Sequence, residues 1–219
     1  MATWVTHFRI AEELIKRGLP VSELDFLVGN IGPDCGLANE DGKFTPPKRV
    51  THFMDGREIQ AELFFQQYKL NNLDITPPKG SYYLGYYVHL MTDVEWIKLT
   101  KVKKMEKVHQ TIIDTPEYSQ MVKRDWYWLD FKYLLEHPNH MFWTVFQNIQ
   151  HYQEHLPFFP GGQTFQQIQN ITYFYCNTNV PKDYEPIYMT ESEVDDFVQE
   201  TANMIQEIYI QRLGQNFNV

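Results

Sequence analysis

His89 and Asp93 stand four residues apart in the aromatic run YYVHLMTDVEW, residues 86–96. On a helix that spacing puts both side chains on one face. Two chemistries are open to such a pair. The imidazole and the carboxylate satisfy one another, or both grip a metal ion, for which neutral imidazole nitrogen and carboxylate oxygen are ordinary ligands. Gly85, one turn earlier on the same face, leaves room for another group to approach. Three more residues are candidates for the same set. His7 lies in TWVTHFRIAEEL, one turn after Trp4; Asp34 lies in the glycine-rich GNIGPDCG; His52 closes PPKRVTHFMDG. Taken singly, each has a structural explanation: a half-buried helix histidine, a turn aspartate, a helix lead-in. Taken in order, they read helix His, loop Asp, second-loop His, then His-x-x-x-Asp.

Other segments offer weaker chemistry. KRDWYWLD, residues 123–130, sets Asp125 and Asp130 in an aromatic helix, where Asp125 is either a ligand or part of a face neutralised by Arg124. HYQEH, residues 151–155, spells the H-x-x-E-H pattern of inverted zinc peptidases. It also reads as an exposed helix end, or as a further metal site built on His151 and His155. Cys35 sits beside Asp34, and an adjacent carboxylate raises a thiol pKa, which disfavours a nucleophile. Nucleophile-elbow, phosphate-loop and dinucleotide-loop patterns are missing from the sequence.

The elements that must position these residues are helical. Apolar periodicity predicts helices at about 4–17, 21–28, 57–68, 82–106, 116–136, 141–155, 163–175 and 190–213. Thr190 and Glu193 form a capping box at the start of the last. Residues 29–56 read as one long Gly- and Pro-rich loop, a length uncommon without a function, and no strand pair is evident. The 219 residues, 43% hydrophobic, suffice for one domain spanning 1–219. No stretch approaches the roughly 20 apolar residues of a membrane span, and the N-terminus reads as the start of the folded domain. A net charge of −9 argues against a protein that coats nucleic acid. The basic run KLTKVKK, 98–104, reads as a solvated helix face. Two cysteines make no disulfide framework, so a cytoplasmic location is expected. The aromatic content, 14 Tyr and 15 Phe, implies a core or cleft with large amphipathic walls.

The ordered set, with the phrases TWVTHFRIAEEL, FLVGNIGPDC and LGYYVHLMTD, resembles the zinc-dependent phospholipase C family, and its compact intracellular branch most. The resemblance is clear over the first half of the chain. Secreted three-zinc nucleases that attack single strands share that family's fold. The resemblance implies an all-α multi-helix bundle with one long metal-site loop. It implies that Asp34, His52, His89 and Asp93 bind one zinc, and that His7 binds a second, with Asp93 bridging. One to three divalent ions are expected, with manganese or iron as alternatives to zinc. The implied reaction is hydrolysis of a small phosphate ester, monoester or diester, by a metal-bound hydroxide, with Asp34 holding or assisting the water. Three features depart from the family pattern, one being that its later His-x-x-x-Glu or His-x-x-x-Asp pair is not plainly present. Its N-terminal Trp binds metal through a free amine, whereas Trp4 follows Met-Ala-Thr and is expected to pack. Its third site needs a His soon after His-x-x-x-Asp, whereas the next histidine is His109, so Asp125 or His151 and His155 are the candidates left. The other reading is a catalytically silent helical module with a structural metal.

Overall fold

Thr3 starts the first helix, α1 (Trp4–Lys16), by accepting a hydrogen bond from the Thr6 N–H on its side chain. The helix closes where Gly18 takes φ 89°. There Gly18 N–H bonds Ile15 C=O at 2.9 Å and Leu19 N–H bonds Leu14 C=O at 3.1 Å, a paired ending for which glycine suits best. One face of α1, including Val5, Phe8, Ile10 and Leu14, is buried, and His7 shares that burial. The computed structural model describes residues 1–178, 180, 181 and 183–213.

Two further helices set the centre of the bundle, α2 (Glu23–Gly29) and the long α5 (Pro78–Lys103). Every residue of α5 from Gly80 to Leu90 is buried, as expected for a helix apolar on all sides. Gly85 does leave space for a neighbour, and the neighbour is the α2 backbone. A methyl group at Gly85 would lie 2.3 Å from Phe26 O, and one at Gly29 would lie 2.2 Å from Tyr82 O. Two glycines thus let the helices touch backbone to backbone, which delivers the end of α2 and the turn after it to His89.

The segment between α2 and α5 holds more structure than the loop expected. After α2 come a 3-10 turn (Gly32–Asp34), a hairpin of β1 (Leu37–Ala38) with β2 (Phe44–Thr45), and the short α3 (Lys48–Thr51). A second hairpin, β3 (Met54–Asp55) with β4 (Glu58–Ile59), leads to α4 (Ala61–Gln67). The expectation of no strand pair is therefore corrected. Strands of two residues carry no alternation to detect, and the turns rest on Gly42 at φ 75° and Gly56 at φ 59°. The helix expected from 57 begins at Ala61 because 58–59 pair as a strand.

The second half comprises α6 (Lys107–Gln110), α7 (Tyr118–Glu136), α8 (Met141–Thr144), α9 (Gln163–Asn177) and α10 (Glu191–Leu213). The capping box of α10 forms: Thr190 N–H donates to Glu193 Oε2 at 2.8 Å, and Glu193 N–H to Thr190 Oγ1 at 3.3 Å. The helix expected over 141–155 is another correction. It stops after Thr144, apart from a 3-10 turn at Phe146–Asn148. Side-chain amides take the carbonyls that the next helical turn would need. Gln147 Nε2 and Asn148 Nδ2 donate to Trp143 O, and Asn148 Nδ2 also to Thr144 O. HYQEH therefore lies outside any helix or strand. The fold is all-α apart from the two small hairpins, and no described helix is long and apolar enough to cross a membrane.

Candidate metal centre

Five side chains from four segments converge in the interior. His7 comes from α1, Asp34 from the 3-10 turn, His52 from the end of α3, and His89 and Asp93 from α5. Their donor atoms form two groups that share His89: His7, His89 and Asp93, and Asp34, His52 and His89. His7, His52, His89 and Asp93 have fully buried side chains, and Asp34 is 12% exposed.

The separations bear on what the group can hold. His7 Nε2 lies 3.6 Å from Asp93 Oδ1; His52 Nε2 and His89 Nε2 lie 3.6 and 3.4 Å from Asp93 Oδ2; His52 Nε2 lies 3.5 Å from Asp34 Oδ1. These are long for hydrogen bonds. They match the roughly 3.4 Å between two donors that sit about 2.1 Å from one tetrahedral ion. Nε2 of all three histidines and Asp93 Oδ2 are buried with no hydrogen-bond partner among the described residues. Orphaned buried polar atoms are costly, and here they point at one another. The His–Asp pair of α5 therefore does not simply satisfy itself.

Neighbouring groups fix the rings. His89 Nδ1 donates to Asn30 C=O at 2.7 Å, the carbonyl that the α2–α5 contact brings within reach. A carbonyl only accepts, so the Nδ1 proton is fixed and Nε2 carries the lone pair of the neutral ring. His52 Nδ1 lies 3.0 Å from the Thr51 hydroxyl, which itself donates to Lys48 C=O at 3.5 Å; that network assigns His52 the same tautomer. A ring nitrogen so oriented is the usual support of a metal-bound histidine. Tyr86 OH donates to Thr51 C=O, and Phe53, held at φ 51°, packs on Phe64, Tyr68 and Tyr86. The aromatic cluster thus grips the chain on both sides of His52. The His7 and His89 rings stack at 3.8 Å. Ala2 N–H donates to Asp93 Oδ1 at 2.8 Å, and the Trp4 indole donates to Asp34 Oδ2 at 3.1 Å.

The electrostatics follow from burial and two carboxylates. Burial lowers His7 to about 4, His89 adding to it and Asp93 opposing. Burial likewise lowers His52 to about 4, against the pull of Asp34. For His89, burial is outweighed by the charges of Asp93 and Asp34, and its pKa rises. Burial works against the Asp93 carboxylate too, but His89 and His7 hold it well below the usual range. Asp34 is also held below that range, by His89, Lys48 and His52 against burial. Two anionic carboxylates with neutral imidazoles carry a charge of −2, and a proton on His89 or a divalent cation answers the same field. The donors are nitrogen and oxygen only, a set suited to borderline and hard divalent ions. These buried groups can hold a metal ion.

The remaining candidates have other partners. Asp125 is expected as a ligand, but it lies outside both groups; its carboxylate accepts from Tyr184 OH, from Ile187 N–H at 2.7 Å and from Tyr188 N–H. It anchors the chain ahead of α10. Asp130 accepts from Thr3 Oγ1 at 2.7 Å and Tyr175 OH at 2.6 Å. In HYQEH, Glu154 accepts from Thr164 N–H at 2.8 Å at the start of α9. His151 is exposed, and His155 sits against Tyr82 and Tyr152 with Nε2 3.9 Å from Asp25. His109 has both ring nitrogens engaged, by Tyr118 OH and Tyr188 C=O. Cys35 is buried, and burial, with Glu154 and Asp34, pushes its thiol well above the ordinary value.

Sequence reasoning missed two residues. Trp4 does more than pack, since its indole orients Asp34. Lys48, whose Nζ is 3.4 Å from Asp34 Oδ1, stands four residues before His52, a helical spacing that could have drawn attention to it. Asp34 is the one cluster member that lines a cleft of about 580 Å³. No family model matches the chain, and no curated protein or solved structure matches it.

Proposed function

We propose that the chain is a metal-dependent hydrolase of phosphate esters, a compact relative of the zinc-dependent phospholipase C family. Zinc is the first candidate for the ion, with manganese and iron behind it. The observation that carries the reading is the buried His/Asp cluster with orphaned lone pairs, open to a cleft at Asp34 alone. His7, His52, His89 and Asp93 would hold the ion or ions, together with Asp34. A bound divalent cation supplies Lewis acidity toward a phosphoryl oxygen and makes nearby water more acidic. The protein's own part is positioning. Asp34 is anionic at neutral pH, its Oδ2 is held by the Trp4 indole, and a water at the cleft floor can donate to its Oδ1. The fixed rings of His52 and His89 keep that geometry without reorganisation. Two free cysteines suit a reducing compartment such as the cytoplasm.

The test is elemental analysis of the purified protein, followed by a panel of phosphomonoesters and phosphodiesters with added Zn²⁺, Mn²⁺ or Fe²⁺. The expected result is bound metal in wild type, hydrolysis of at least one ester class, and loss of both in His89→Ala. Protein that takes up no metal sinks the reading. Full burial of four ligands favours a second reading, an ion closed off by protein in a module without catalysis. Metal without turnover on any ester selects that one.

A further inference from the structure

The cleft beside Asp34 has a charge and wall composition unlike the rest of the protein. The chain carries a net −9, yet among the described residues the cleft lining has two lysines, Lys48 and Lys123, and Asp34 as its one carboxylate. Lys48 reaches Asp34 Oδ1 while remaining 38% exposed, and its ammonium lies 5.4 Å from the Phe44 ring centre. Lys123 is exposed and makes no ion pair among the described residues. An unpaired ammonium at a concave surface attracts anions.

The walls are aromatic and come from separate elements. Trp4 stands at the start of α1, Phe44 on β2, and Trp126 and Tyr127 on α7 with Lys123 one turn before them. Trp4 is braced edge-on by Phe174 at 5.9 Å and Tyr175 at 6.2 Å, and Trp126 edge-on by Trp96 at 5.3 Å. Braced rings are a preorganised surface for a flat apolar group. Gln167 and Asn170 of α9 add neutral polar groups to the lining. The volume, about 580 Å³, is that of a pocket for a compact organic molecule.

We propose that this cleft selects small phosphate esters whose organic part is a flat ring, with Lys48 and Lys123 holding the anionic end and Trp4, Phe44, Trp126 and Tyr127 walling the ring. The proposal rests on the hydrolase reading for the word ester, but its binding chemistry belongs to the cleft. Lys48 links the two regions. Its ammonium lies 3.4 Å from Asp34 Oδ1 and, being exposed, also faces the cleft, where it can meet an anionic group. Lys48 and Lys123 are therefore substrate-positioning residues.

The test uses two phosphonates, phenylphosphonate and methylphosphonate, whose C–P bond replaces the ester P–O bond that the proposed reaction breaks. Binding to the full chain is titrated by calorimetry and by quenching of tryptophan fluorescence. Phenylphosphonate is expected to bind about tenfold more tightly than methylphosphonate, as stacking on aromatic walls gives. Lys48→Gln and Lys123→Gln should each weaken both ligands about fivefold, while Lys48→Arg and Lys123→Arg retain most of the binding. Trp126→Leu and Tyr127→Leu should erase the preference for the ring and leave methylphosphonate unchanged. Equal affinity for the two phosphonates overturns the proposal, as does wild-type binding in both glutamine variants. A variant that fails to fold shows in its melting curve, and Lys48→Met and Lys123→Met, which keep the apolar stem and remove the charge, then decide: wild-type binding in both overturns the proposal. The outcomes separate the two readings. Ring-selective binding without metal or turnover sinks the hydrolase and keeps the cleft; turnover without ring preference does the reverse.

Discussion

Two sets of buried carboxylates occupy this bundle, and they differ in how their oxygens are used. On α7, Asp125 accepts three hydrogen bonds and Asp130 two. On α5, Asp93 accepts one N–H on Oδ1, while Oδ2 faces two imidazole nitrogens that also have no partner. All three are buried. A buried carboxylate with its donors supplied by the chain is part of the architecture. One left short, with the Nε2 atoms of three histidines facing it, has a charge that a proton on His89 or a bound cation can answer.

The sharpest way to break that contrast is to exchange the fates of the two sets. Metal saturating the cluster should raise stability by about 3–4 kcal/mol at 100 to 1,000 times its Kd, seen as a higher melting temperature that a chelator reverses. Asp93→Asn should abolish both the bound metal and the chelator effect. If Asp93→Asn retains stoichiometric metal, the cluster is not the site. Asp125→Ala should do the opposite. It leaves Ile187 and Tyr188 N–H without acceptors and costs about 3 kcal/mol, measured by urea unfolding, with metal content unchanged. Loss of metal from a folded Asp125→Ala protein would return that residue to the ligand set.

The contrast was only half legible in the sequence. His7, Asp34, His52, His89 and Asp93 could be drawn together because their types and order carry a pattern, and helix periodicity placed α1, α5, α7, α9 and α10 within a few residues. Asp125 could not be told from a ligand, because its partners lie about sixty positions away and two of them are backbone amides with no side-chain signature. HYQEH misled for a similar reason. Its motif presumes a helix, and the helix ends early because Gln147 and Asn148 take its carbonyls. The two hairpins were invisible because two-residue strands have no period. Gly85 was read correctly as a point of close approach, but that the α2 backbone fills it is tertiary information.

Asp130 offers a pH test of the satisfied set. Burial raises its carboxyl from 3.8 to about 7, with Tyr175 and Thr3 opposing. The folded protein then holds this proton up to about pH 7, while the unfolded chain releases it near pH 3.8. A carboxyl with a raised folded pKa favours the fold on the acid side, so stability falls as pH climbs from about 4 to 7 and levels off above. At about 1.4 kcal/mol per pH unit the ceiling is about 4 kcal/mol; relaxation around the buried group brings the expected change to about 2. Asp130→Asn removes the titration. Its stability relative to wild type should improve steadily from pH 4 to 7 and then stay constant. A wild-type minus variant difference that does not vary with pH would show that two hydroxyl donors keep Asp130 ionised.

The smallest expected effect probes the cluster's support. Thr51 Oγ1 assigns the His52 proton to Nδ1 and so turns a lone pair toward Asp34 and Asp93. Valine at position 51 keeps the shape of this buried side chain but removes the acceptor. The His52 proton is then free to move to Nε2, where it would donate to the carboxylates and occupy the place of the ion. Metal affinity should fall about tenfold, roughly 1.4 kcal/mol, the lower end for loss of a ligand's supporting hydrogen bond. Stability of the metal-free protein should improve at the same time, since the orphaned Asp93 Oδ2 gains a donor. That opposite movement is specific to a ligand site. In the Asp125 region, where the carboxylate is already satisfied, loss of a partner can only destabilise. If Thr51→Val lowers metal-free stability and leaves affinity alone, His52 belongs with the architecture, and the cluster shrinks to His7, His89 and Asp93.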